Sequence, residues 1–104
     1  MTKVILTLLL VLCVPLIGEE KKKELPKDFK ALRVLAEKGN AEAQTALAGL
    51  YYKGQGVEKN FKKAVKWWRQ AAEQGDAKGQ GNLGFMYDQG QGVPEDDKEA
   101  VKWY

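Results

Sequence analysis

At 104 residues the chain has room for one small domain, with 44% hydrophobic and 30% charged residues and a formal charge of +3. It contains no histidine, no serine and one cysteine, so the usual nucleophile–base pairs and zinc sites of cysteine and histidine lack their residues. The positive charge is spread along the chain rather than gathered into a basic stripe, so nucleic acid is not an expected partner.

The first predicted element is an export signal over residues 1–18. Lys3 supplies a basic start, and Val4 to Ile17 is apolar apart from Thr7 and Pro15. That run is shorter than the about 20 apolar residues a membrane-spanning helix needs, but it matches the core of a signal peptide. Gly18 is a suitable small residue at the cleavage point, and an uncleaved anchor would reach the same destination. The expected location is therefore secreted or periplasmic, with membrane contact only through this segment. Cys13 is not expected to carry a lipid, because Leu12 is bulky where a small residue is needed and apolar Val14-Pro15-Leu16-Ile17 follows. Residues 19–25 form a charged linker in which Lys21, Lys22 and Lys23 are balanced by Glu19, Glu20 and Glu24.

A cap helix is predicted over 26–39, with Pro26 in its first turn, where a missing N–H costs nothing. Phe29, Leu32, Leu35 and Ala36 form its apolar stripe, and Gly39 ends it. The next helix starts at Asn40 as N-cap, with Glu42 at the positive end of its dipole. Its buried face is Ala43, Leu47, Leu50 and Tyr51, and Gly54 stops it. Gly54-Gln55-Gly56-Val57 is a turn, with Val57 tucked back into the helix junction. It lacks the preceding strand and the Gly-Lys-Ser/Thr ending of a phosphate loop. Asn60 caps a return helix with a face of Phe61, Ala64, Val65, Trp68, Ala71 and Ala72, while Trp67 lies beside it over the seam to the next pair. Gly75 closes it.

The pattern then repeats thirty-six residues on. Gly54-Gln55-Gly56-Val57 returns as Gly90-Gln91-Gly92-Val93, and Ala64-Val65-Lys66-Trp67-Trp68 as Ala100-Val101-Lys102-Trp103-Tyr104. Ala36, Glu37, Gly39, Ala41, Gln44, Leu47 and Tyr51 return as Ala72, Glu73, Gly75, Ala77, Gln80, Leu83 and Tyr87. A fixed period of this length is the mark of a helical repeat array. The units are residues 40–75 and an incomplete second copy over 76–104, capped by Asp76 and then Asp96. Gly79 and Gly84 fit close approach of a neighbouring helix; Gly81 has no such explanation. Glu95, Asp96 and Asp97 could draw a hard cation. They begin a helix, where acids are favoured anyway, and the first copy has Lys59, Asn60 and Phe61 there. No metal or other cofactor is expected.

The motifs Gly-Asn/Asp-Ala-x-x-Gln-x-x-Leu, Tyr-x-x-Gly-x-Gly-Val and Lys-x-Ala-Val-Lys-Trp-aromatic resemble those of the Sel-one-like repeat family, relatives of tetratricopeptide repeats. The resemblance covers residues 36–104. It implies an all-α fold, an α-solenoid of antiparallel helix pairs in a right-handed superhelix, here truncated at its C-terminus. It also implies an exported adaptor or scaffold that binds a protein or peptide through its concave face, and not an enzyme. One alternative is a cell-wall or β-lactam hydrolase, as described for cysteine-rich members of the family, whose paired cysteines have no counterpart here. The other is a non-functional fragment of a longer repeat protein.

By resemblance to tetratricopeptide grooves, the concave face consists of Glu42, Thr45, Gly49, Tyr52 and Lys53, with Lys78, Gly81, Phe85, Asp88 and Gln89 at the matching positions of the second copy. These positions differ at every pair, while Leu47 and Tyr51 of the buried stripe recur as Leu83 and Tyr87. Tyr52 and Phe85 fall outside the core spacing and are the expected interface anchors.

Overall fold

The computed structural model describes residues 25–104. The predicted signal segment, Cys13 and nearly all of the charged linker lie outside the described residues. Among the described residues there are five helices and no strands: α1 (Phe29–Glu37), α2 (Ala41–Lys53), α3 (Phe61–Glu73), α4 (Ala77–Gln89) and α5 (Asp97–Trp103). Each packs chiefly against the next in sequence, so α2–α3 and α4–α5 are the two hairpins of an α-solenoid and α1 covers the outer end of the first. Such a chain is stabilised by neighbour contacts rather than by one central core.

The helix boundaries follow from local hydrogen bonding. Asn40 and Asp76 accept the backbone N–H of Ala43 and Gly79 on their side chains, at 2.9 and 2.8 Å. Asn60 does the same for Lys63 at 3.0 Å. The Asp96 carboxylate accepts from Lys98 and Glu99, both at 3.1 Å, so in this acidic turn it is engaged as a cap. Between hairpins the chain turns with no spare residue. Gly39 N–H donates to the Ala36 carbonyl and Asn40 N–H to that of Leu35, and Gly75 and Asp76 repeat both bonds on Ala72 and Ala71. This is the Schellman arrangement, and its last residue is already the cap of the next helix. Within each hairpin, Asn60 N–H returns to the Tyr51 carbonyl and Asp96 N–H to that of Tyr87.

The first helix starts later than its sequence suggests. Leu25, Pro26 and Lys27 are not helical, and α1 begins at Phe29 behind Asp28, whose carboxylate accepts from Ala31 N–H at 3.1 Å. A capping carboxylate satisfies a free N–H, which a proline in the first turn only avoids having. Asp28 therefore sets the boundary.

Leu32, Ala36, Ala43, Leu47, Tyr51, Ala64, Val65, Trp68, Ala72, Leu83 and Met86 form the continuous core, with Phe29, Leu50, Val57 and Trp67 half-buried against it. The recurring glutamine is part of it. Gln44 is almost wholly buried and donates to the Ala36 carbonyl at 3.1 Å, and Gln80 donates to the Ala72 carbonyl at 3.2 Å. Each ties the start of one hairpin to the end of the preceding helix. Gln44 also accepts from Gln74 at 2.8 Å.

The glycines of α4 divide into two kinds. A Cβ on Gly79 would lie 3.0 Å from the Ala71 Cβ, and one on Gly84 would lie 2.9 Å from the Tyr104 ring, so both mark close helix approach. A Cβ on Gly81 meets nothing within 4 Å, and nothing in the structure explains a glycine there. Gly81→Ala is expected to raise the unfolding free energy by about 0.5–1 kcal/mol, because alanine loses less backbone freedom in a helix. Urea unfolding checks this; a lower midpoint than the parent would mean the helix needs that position empty.

Candidate functional site

The face shared by α2 and α4 carries two adjoining depressions. The first, about 460 Å³, is lined by Thr45, Gly49, Tyr52, Lys53, Trp68, Asn82 and Phe85. The second, about 450 Å³, is lined by Leu25, Glu42, Thr45, Ala46, Asp76, Ala77 and Lys78. Thr45 stands between them. Its hydroxyl donates to the Asp76 carboxylate at 2.6 Å, and its carbonyl accepts from the Trp68 indole at 3.2 Å. Those two bonds hold α2 against both α3 and the start of α4, so the groove wall is fixed by the same contacts that join the hairpins.

Of the residues expected on the concave face, Thr45, Gly49, Tyr52, Lys53 and Phe85 come together in the first depression, and Glu42 and Lys78 flank the second. Gly81, Asp88 and Gln89 line neither; Asp88 and Gln89 are exposed near the C-terminal end of α4. The two aromatics differ in standing. Phe85 is 40% exposed. Tyr52 is half-buried, with its ring 5.2 Å from Phe61 and 5.6 Å from Trp68. It is part of an aromatic stack rather than a free anchor, and contributes an edge to the groove. The Thr45 hydroxyl is likewise engaged within the fold.

Two further residues of this site, Trp68 and Asn82, are not expected there from the sequence. Spacing along α3 places Trp68 in the core, where it is 5% exposed, yet it also lines the groove. Asn82 carries a signal in the repeat, since its counterpart thirty-six residues earlier is Ala46. The groove as built is aromatic near Tyr52, Trp68 and Phe85, has a cation at Lys53, and becomes mixed in charge towards Glu42, Asp76 and Lys78. Such a surface can seat an extended or helical segment with one apolar side chain in the aromatic part.

Stacked helix hairpins, each resting on the one before, define a helical repeat protein. The Sel1 repeat matches residues 41–76 and 77–104, more than half of the chain, and the chain belongs to the Sel1 repeat family. Proteins of this family are commonly protein-interaction scaffolds. Among solved structures, the chain is similar to a Sel1 repeat protein from Oxalobacter formigenes, with 38% identity and a TM-score of 0.70 over 71% of this chain and 22% of the other. It is also similar to c5321, a protective antigen present in uropathogenic Escherichia coli strains, with 40% identity and a TM-score of 0.71 over 74% of this chain and 16% of that one. A third is Helicobacter pylori cysteine rich protein B, with 29% identity and a TM-score of 0.70 over 72% of this chain and 56% of the other. The chain thus spans between a sixth and just over half of these proteins. No curated protein sequence matches it.

Proposed function

We propose that the chain acts as an exported adaptor module whose α2–α4 groove binds a peptide segment of a protein partner. The observation that carries this reading is Phe85. A phenylalanine 40% exposed at the edge of a groove lined by Trp68 and Tyr52 has no packing reason to be there, since Gly49 occupies the matching position of the first repeat. Export is supported by the basic start and apolar run of residues 1–18. Fractionation of the producing cells with N-terminal sequencing of the product tests that part; a purely cytosolic chain beginning at Met1 would remove it.

For the groove, the experiment is selection of peptides on the immobilised chain, followed by affinity measurement with variants. Phe85→Ala is expected to weaken the selected peptide by about 2 kcal/mol, roughly thirtyfold, as for an aromatic interface anchor. Lys62→Glu, on the exposed side of α3, is expected to leave it unchanged. The opposite pattern would move the interface off the groove.

A further inference from the structure

A second cavity, about 500 Å³, lies where α1 and α3 meet the buried stripe of α2. Arg33, Lys63, Lys66 and Trp67 wall it, and the nearly buried Gln44 and Tyr51 line it from α2. Gln44 and Tyr51 are seven residues apart on one stripe of the helix, about 100° around from the stripe of Thr45 and Tyr52 that faces the groove. The cavity is therefore distinct from the groove in residues and in direction.

Its charge is unbalanced. Glu37 is its one carboxylate, and Glu37 is paired with Arg33 at 3.1 Å. Among the described residues, neither Lys63 nor Lys66 has a carboxylate within 4.0 Å. The two lysines are three positions apart on α3, a spacing that sets like charges side by side at a cost to the helix. Aromatic faces hold both in place: Lys63 Nζ is 5.4 Å from the centre of the Tyr51 ring and Lys66 Nζ is 5.8 Å from that of Trp67. Both lysines are exposed, and two ammonium groups beside one cavity with no counter-charge within 4.0 Å favour an anion there.

The repeat separates what the fold supplies anyway from what is particular to this cavity: Lys102 stands 5.5 Å from the Trp103 ring as Lys66 does beside Trp67, but the other charges differ. The position of Lys63 is Glu99 in the second copy, where it lies 4.0 Å from Lys102. The position of Arg33 is Arg69, which donates to the Tyr87 hydroxyl and lies 5.5 Å from that ring. In the first copy the matching arginine pairs with Glu37 instead. The second junction balances its own charge and the first does not.

We propose that the cavity between α1 and α3 is an anion site that takes a small polyanion of the phosphate or polycarboxylate type, with Lys63 and Lys66 as its charge partners. Its volume is within the about 300–1,000 Å³ typical of small-ligand sites. The proposal is independent of the peptide groove.

The test is calorimetric or NMR titration of the full chain at low salt with inorganic phosphate, and separately with citrate. Saturable binding of at least one probe is expected; which one binds tells whether phosphoryl or carboxylate chemistry is recognised. Lys63→Glu installs the residue the second copy already carries, so the fold tolerates it, and it is expected to weaken binding by about tenfold or more. Lys66→Gln should weaken it as well. Lys102→Glu changes the net charge as much as Lys63→Glu does, at the position matching Lys66 in the second copy, and should leave affinity as it was. No saturable binding of either probe below about 10 mM overturns the proposal. So does equal weakening by Lys102→Glu, which would reduce the effect to net charge.

Discussion

Replacing Gly92 by alanine is expected to cost about 3 kcal/mol or more of unfolding free energy, while the same change at Gly56, its counterpart in the motif, costs about 1–2 kcal/mol. The two glycines have nearly the same backbone, with φ of 73° and 71°, so the penalty for a side chain at positive φ is common to both. Their surroundings differ. A Cβ on Gly92 would fall 2.6 Å from the Phe61 carbonyl oxygen and 3.1 Å from Lys62 N, backbone atoms at the start of α3 that cannot rotate away. A Cβ on Gly56 would meet only the Phe29 Cβ, at 4.0 Å. The cause is the late start of α1. Phe61 corresponds in the repeat to Leu25, which is not helical, so the first loop lacks the helix end against which the second is pressed. Urea unfolding of the two variants beside the parent checks this. The expected result is a much lower midpoint for Gly92→Ala than for Gly56→Ala, or no cooperative transition at all. Equal midpoints would show that the second loop does not lie on α3.

The adjacent tryptophans of α3 should behave very differently. Trp68→Ala is expected to cost about 3–5 kcal/mol, the range for removing a buried large aromatic residue. The Trp68 ring is almost wholly buried, 5.6 Å from Tyr52, and its indole donates to the Thr45 carbonyl. Its loss would open the core, unseat Tyr52 and remove the second donor that the Thr45 carbonyl has besides its helical one. Trp68→Phe keeps most of the packing and should cost about 1–2 kcal/mol, mainly the hydrogen bond. Trp67 is half-buried beside the cationic cavity. Trp67→Ala should cost clearly less than Trp68→Ala and should act on anion binding by freeing the Lys66 ammonium. Thermal and denaturant unfolding rank the three variants. If Trp67→Ala proves the more damaging, the inward and outward faces of α3 have been exchanged.

The candidate site is partly legible in the amino-acid sequence. The resemblance to tetratricopeptide grooves picks out Glu42, Thr45, Tyr52, Lys53, Lys78 and Phe85. These positions vary between copies while Gln44, Leu47 and Tyr51 recur, and the groove brings several of them together. Phe85 is the clearest signal, an aromatic residue off the core spacing opposite a glycine in the other copy. Tyr52 gives the same signal for a different reason. Its ring packs on Phe61 and Trp68, and spacing along α2 cannot reveal what a neighbouring helix presents. Asp88 and Gln89 follow only from the resemblance to tetratricopeptide grooves, as the matches of Tyr52 and Lys53, and lie beyond the groove.

Much of what is decided within about four residues can be read from the sequence by itself; the Asp28 cap on Ala31, overshadowed by the neighbouring Pro26, is the exception. The N-caps Asn40, Asn60, Asp76 and Asp96 and the stops at Gly54 and Gly90 are local choices, because a helix end is satisfied by the side chain or backbone group nearest to it. The thirty-six-residue period adds the hairpin architecture, since copies that share a buried stripe must stack in the same way. Only the tertiary structure could decide how matching positions part company. Gly92 is pressed on α3 while Gly56 is nearly free, and Arg69 reaches Tyr87 while Arg33 turns to Glu37. Gly56 and Gly92 share the motif Gly-Gln-Gly-Val, and Arg33 and Arg69 each have a glutamate four residues on, Glu37 and Glu73. The difference comes from atoms a whole helix away, at a distance set by how each hairpin rests on the one before it.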